Sequence, residues 1–144
     1  MWLAAAVADY HGRRSLLEEI RQDPLAVFKP EWVGIDSTTD PVLATYFLFH
    51  DTDLDTLRTP PATVAPCDLS RVYAETSAID PARLPSTYPL PTGDRTLRPQ
   101  WMARIALERL GTEPIDVPGG HCPHVATPEA IAEIISEACK CADV

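Results

Sequence analysis

The 144 residues carry twelve Lys and Arg against twenty-one Asp and Glu, a formal charge of −9, which opposes binding to nucleic acid because that affinity rests mainly on cationic side chains meeting phosphates. Apolar residues make up 45% and charged ones 23%, a globular composition of single-domain length, and no apolar run approaches the length that crosses a bilayer. A cytoplasmic protein with neither a nucleic-acid nor a membrane partner is expected.

From Trp2 to Gln22 the residues Leu3, Val7, Tyr10, Leu17 and Ile20 recur at helical spacings and Asp23-Pro24 supplies a stop, so the pattern predicts an amphipathic helix, interrupted near Gly12. Asp40-Pro41 is an N-cap with proline in the first turn, predicting a second helix through Val42, Tyr46 and Phe49. Thr52 with Asp55 resembles a shortened capping box for a third, short helix that Pro60-Pro61 ends. Residues 59–87 hold five prolines and no sustained period, which reads as an irregular connection. The pattern then changes. A short apolar segment near Leu84 to Leu90, a turn at Gly93-Asp94, a helix from Pro99 to Leu110 ended by Gly111, a strand Pro114–Val117, a Gly119-Gly120 turn and a last helix capped at Thr127-Pro128 follow in order, with Ile131, Ile134, Ile135 and Ala138 on one face. Strand, helix, strand, helix predicts an α/β class with parallel strands joined by a crossover helix. The chain divides into a helical, cap-like region over residues 1–83 and a β-α-β-α unit over residues 84–144.

In parallel sheets ligands gather outside the carboxyl ends of the strands. Asp94 and His121 each follow a predicted strand, and neighbouring strands lie about 5 Å apart, which brings such side chains within hydrogen-bond reach. A carboxylate on one imidazole nitrogen fixes the tautomer and leaves the other nitrogen free to take a proton. The pair therefore reads as catalytic, with Gly119-Gly120 allowing the sharp turn before His121. The other histidines read more simply: His11 on the polar side of the first helix, His50 capping a helix or bordering a pocket, His124 facing solvent.

The segment "TGDRTLRPQWMARIALERLGTEPIDVPGGHCPHVATPEAIAEII", residues 92–135, resembles the C-terminal end of the α/β-hydrolase fold, near its esterase-like members. In that family an acid follows the seventh strand and a Gly-His pair follows the eighth. The resemblance, clear over residues 84–138, implies that Asp94 is the triad acid and His121 the base, and that the preceding helices form the cap inserted between the sixth and seventh strands. It implies acyl transfer on a small ester or related carbonyl substrate, with no cofactor and no metal. Tyr46, Phe47 and Phe49 of the cap hint at an apolar substrate.

The departures are equally specific. The family's nucleophile sits in a G-x-S-x-G elbow, and none of Ser15, Ser37, Ser70, Ser77, Ser86 and Ser136 has the flanking glycines. Pro89 and Pro91 remove two ladder donors from what would be the seventh strand. The expectation is the cap and C-terminal part of a serine hydrolase, inactive without the missing part. The alternative is a non-catalytic interaction or scaffold module whose incomplete sheet favours self-association or pairing with another chain. A zinc site built from His121, Cys122, His124, Cys139 and Cys141 fits no paired ligand spacing. Asp51, Asp53 and Asp55 lack the glycine and terminal glutamate of a calcium loop. Cys67, Cys122, Cys139 and Cys141 read as free thiols.

Overall fold

In the computed structural model, which describes residues 1–37, 39–58, 64 and 70–142, the first helix is much shorter than its apolar period predicts. Helix α1 (Leu16–Gln22) starts only after Ser15, where a capping box forms: Ser15 Oγ accepts from Glu18 N at 3.3 Å and the Glu18 carboxylate accepts from Ser15 N at 2.8 Å. Residues 1–8 form no helix, and Ala4 turns through a positive φ of 44°. Trp2 N and Ala4 N donate to Thr87 O and Pro89 O at 2.8 and 3.4 Å, and the Tyr88 hydroxyl donates to Ala5 O. A helix of so few residues is marginal by itself. Backbone partners on the sheet and the burial of Ala4 and Val7 outweigh the local preference. The chain then reverses between Asp9 and Arg14, with Arg13 at φ 51°. Asp9 accepts from Gly12 N and pairs with Arg14, which holds its carboxyl below the usual range. His11 lies in this exposed turn and not on a helix, 3.5 Å from Asp80.

Asp23 ends α1 and caps α2 (Pro24–Val27) by accepting from Leu25 N and Ala26 N. Helix α3 (Pro41–Leu48) begins where Asp40-Pro41 predicts, Asp40 accepting from Val42 N at 2.7 Å. The third helix is a single 3-10 turn, Thr56–Arg58, and its cap is Asp53 in place of Thr52, with Asp53 Oδ1 accepting from Asp55 N and Thr56 N. Its expected end at Pro60-Pro61 lies outside the described residues, as does Cys67. Within the stretch read as irregular are helix α4 (Ser70–Ala74) and a 3-10 turn at Pro81–Arg83.

Strand β1 (Tyr88–Pro91), helix α5 (Pro99–Leu110) and strand β2 (Pro114–Val117) follow as predicted, and the strands pair in parallel from Tyr88↔Pro114 to Pro91↔Val117. Helix α6 (Pro123–Ala126) and helix α7 (Pro128–Ala142) complete the order. Along α7 Ile131 is fully covered, Ile134 and Ala138 are half-buried and Ile135 is exposed.

The prolines of β1 are accommodated by the alternation of the pleat. A strand residue directs its N–H and C=O to the same side, and successive residues alternate sides. Thr87 O and Pro89 O accept from Trp2 and Ala4, whereas Thr92 N donates to Val117 O at 2.9 Å. The odd-numbered residues, prolines included, thus face the N-terminal segment, which donates without needing a donor in return. The even-numbered residues keep their N–H groups for β2. One core crosses the boundary at residue 83: Val7, Leu16 and Val27 cluster with Tyr88, Leu90, Leu97, Trp101, Met102 and Ile105. Arg109, 7% exposed, donates to Val7 O and to both Glu19 carboxylate oxygens, tying α5 to α1 and the N-terminal segment.

Candidate active site

The carboxyl ends of the two strands are held together by backbone. Thr92 N donates to Val117 O, and Gly93 N donates to Gly119 O at 2.8 Å. A Cβ at residue 93 would stand 2.9 Å from Gly119 O, so the close approach needs glycine there. Gly119 itself has φ +109°, and a Cβ on it would lie 2.4 Å from Asp51 Oδ2. These two glycines let the loops touch, and the side chains that follow them meet.

Asp94 and His121 are in direct contact, Nδ1 to Oδ2 at 2.8 Å, with the Asp94 side chain 0% and the His121 side chain 26% exposed. The second oxygen, Asp94 Oδ1, accepts from Thr96 N at 2.6 Å, Thr96 Oγ1 at 2.9 Å and Leu97 N at 3.1 Å. Burial of a charge is tolerated when it is hydrogen-bonded on all sides, and this carboxylate is. Thr96 Oγ1 also lies 2.9 Å from His121 Nδ1.

These contacts decide the tautomer. Asp94 Oδ2 is an acceptor, so Nδ1 carries the proton; Thr96 spends its single hydroxyl proton on Asp94 Oδ1, so its oxygen is a second acceptor for Nδ1–H. At neutral charge Nε2 is then a lone pair on the side of the ring away from the carboxylate, the form a general base needs. No described residue forms a hydrogen bond with Nε2.

The loop carrying His121 is anchored from the far side by Asp51, whose Oδ2 accepts from Gly120 N at 2.6 Å. His50 packs beside it. Burial, and next the charge of Arg95, hold the His50 imidazole below its ordinary pKa, and its Nδ1 is buried with no partner among the described residues. The neighbouring Cys122 thiol is pushed up to about 11, by burial first and by the charges of Asp94 and Asp51 next, which keeps it protonated and a poor nucleophile at neutral pH.

Sequence reasoning reached Asp94 and His121 and missed Thr96 and Asp51. An Asp-x-Thr spacing at a turn signals local side-chain-to-backbone bonding and could have flagged Thr96. Asp51 stands in sequence only as one of the alternating Asp51, Asp53 and Asp55, and nothing local reveals its bond to a residue 69 positions on. Serines elsewhere are engaged locally: Ser15 caps α1, Ser77 donates to Ile79 O and Ser86 to Leu84 O. Among the described residues no three His, Cys, Asp or Glu side chains gather as a metal site, and Cys122 and Cys139 are free thiols. His124 is exposed. No described helix is long and apolar enough to cross a membrane.

What these elements define is a mixed α/β chain with a small parallel sheet and a buried aspartate–histidine pair at its carboxyl end. No family model, no curated protein and no solved structure matches this chain.

Proposed function

We propose that Asp94 and His121 are the acid and base of a hydrolytic triad, and that the chain is the cap and C-terminal part of an α/β-hydrolase acting on an ester or related carbonyl. The observation that carries this reading is the 2.8 Å contact of a fully buried carboxylate with Nδ1 of a partly exposed imidazole. A second supports it: the edge of β1 away from β2 is met by backbone donors, Trp2 N to Thr87 O and Ala4 N to Pro89 O, so the strand before the acid is flanked on both sides.

In the proposed reaction a serine outside these 144 residues attacks the carbonyl carbon. Nε2 of His121 takes the hydroxyl proton as the new C–O bond forms, Asp94 stabilises the imidazolium, and the same proton passes to the leaving alkoxide as the ester C–O bond breaks. Water then repeats the sequence on the acyl-enzyme and releases the acid.

The test has two parts. The nucleotide sequence 5′ of the Met1 codon is expected to contain an in-frame continuation, or an adjacent frame, encoding further strands and a G-x-S-x-G elbow. Protein containing both parts is expected to turn over a p-nitrophenyl ester and to be labelled on that serine by an organophosphonate, with turnover falling by about 10⁴-fold or more in His121→Ala. Turnover that ignores His121, or a folded chain inert to both reagents with no elbow beside it, overturns the reading in favour of a non-catalytic module.

A further inference from the structure

A cleft of about 630 Å³ is lined by Val42, Tyr46, His50, Leu57, Arg58 and Arg95, the last of these the neighbour of Asp94 in the chain. Its walls are unusual for a free surface: Val42 is 72% and Tyr46 50% exposed, side by side on α3. Apolar area left open beside fixed polar groups is how small-molecule sites are built.

Two of the polar groups here are cations, Arg95 and Arg58. Arg95 lies over the Tyr46 ring, 4.4 Å from its centroid, and one Nη donates to Tyr46 O at 3.0 Å. Stacking and that single bond fix the plane of the guanidinium and leave most of its five N–H donors uncommitted. Arg58 stands at the same cleft. Among the described residues neither arginine has a carboxylate within ion-pair distance, in a chain with twenty-one acidic residues. His50, which lines the cleft, packs against the residue before His121: a Cβ on Gly120 would lie 2.6 Å from its Cε1.

We propose that this cleft binds a small amphipathic carboxylate, its charged group on the fixed guanidinium of Arg95 with Arg58 contributing at the rim, and its aryl or alkyl body against Tyr46, Val42 and Leu57. An oriented guanidinium recognises a carboxylate through two parallel N–H···O bonds, which a neutral amide of the same shape does not reproduce. That the bound molecule is the acid half of an ester cleaved at His121 rests on the reading under Proposed function; the binding itself does not.

The test is calorimetric or NMR titration of the full chain with 4-phenylbutyrate and with 4-phenylbutanamide, its neutral isostere. The carboxylate is expected to bind about tenfold or more tightly than the amide, and Arg95→Gln is expected to erase that preference. Because Arg95 also holds α3, Arg58→Gln provides a second arm, expected to weaken the carboxylate severalfold with unchanged thermal unfolding. His121→Ala is expected to leave both affinities within about twofold. Equal affinity for the two probes, no binding of either, or an unchanged preference in a folded Arg95→Gln protein overturns the proposal. If the preference is present while hydrolysis never depends on His121, the catalytic reading falls and the binding site stands; the reverse pattern removes only the site.

Discussion

Replacing Asp94 by Asn exchanges one carboxylate oxygen for an NH₂ group, and the surrounding donors dictate which. Oδ1 accepts three hydrogen bonds, from Thr96 N, Thr96 Oγ1 and Leu97 N, whereas Oδ2 accepts one, from His121 Nδ1. An amide nitrogen at the Oδ1 position would orphan two buried backbone N–H groups and the hydroxyl, at about 1–3 kcal/mol each. At the Oδ2 position it confronts a single imidazole, which escapes by moving its own proton. The difference of several kcal/mol holds the Asn amide with its oxygen toward Thr96 and Leu97 in well over ~99% of molecules. His121 must then accept at Nδ1 and carry its proton on Nε2, where a base is useless. Three retained bonds lose their charge assistance, about 1 kcal/mol each, partly offset by relief of a buried charge, so stability should fall by about 1–3 kcal/mol. For a chain of this size the midpoint drops by about 3–12 °C. The assay is the ¹⁵N chemical-shift pattern of the neutral His121 ring, read beside a thermal unfolding curve. The wild type should show protonated Nδ1 and Asp94→Asn protonated Nε2; an unchanged tautomer in a folded variant would refute the network as described. In a complete enzyme the same exchange should cost about 10⁴ in kcat.

Other perturbations test the scaffold around that pair. Glu19 accepts from Trp101 Nε1 at 3.0 Å and from Arg109 at 2.8 and 2.9 Å, so Glu19→Ala should destabilise by about 3–5 kcal/mol in urea unfolding, and Glu19→Leu with Arg109→Met should recover much of it. Ser15→Ala removes the side-chain half of the α1 capping box and should cost about 1 kcal/mol by the same measurement. Gly119→Ala should cost more than about 2 kcal/mol, since it pays for both a positive φ and a collision with Asp51, and the amide signal of Gly120 should lose its hydrogen-bonded shift. Cys122 is raised from 9.0 to about 11 in the fold, so the stability its neutral thiol contributes is present below pH 9 and lost as pH rises through 11. Iodoacetamide at pH 8 should therefore modify exposed Cys139 well before Cys122, as peptide mapping by mass spectrometry would report.

The parts of this molecule that a linear reading recovers are those whose causes are local. Asp40-Pro41 caps α3, Pro99 and Gly111 bound α5, and the turns after β1 and β2 announce Asp94 and His121. Each carries its own start or stop signal within four residues. Residues 2–7 show the opposite case, because Ala4, Ala5 and Ala6 suit a helix and the encounter of Trp2 and Ala4 with Thr87 and Pro89 keeps the segment out of one. The same holds for the support of the site. Asp51 and His50 follow α3 directly, and their importance comes from Gly120, reached only when that stretch meets the loop after β2. Tyr46, read as a hint of an apolar substrate, was legible as chemistry but not as a partner of Arg95, 49 positions away.

Pro89 and Pro91 act as a key for strand alignment. Sliding β1 by one residue against its neighbours would turn both imino nitrogens toward β2, stripping that ladder of donors. The observed alignment avoids that penalty, and it is the one in which Asp94 reaches His121. Two residues that look like defects in a strand thereby act as a gauge for the spacing of the groups beyond its end.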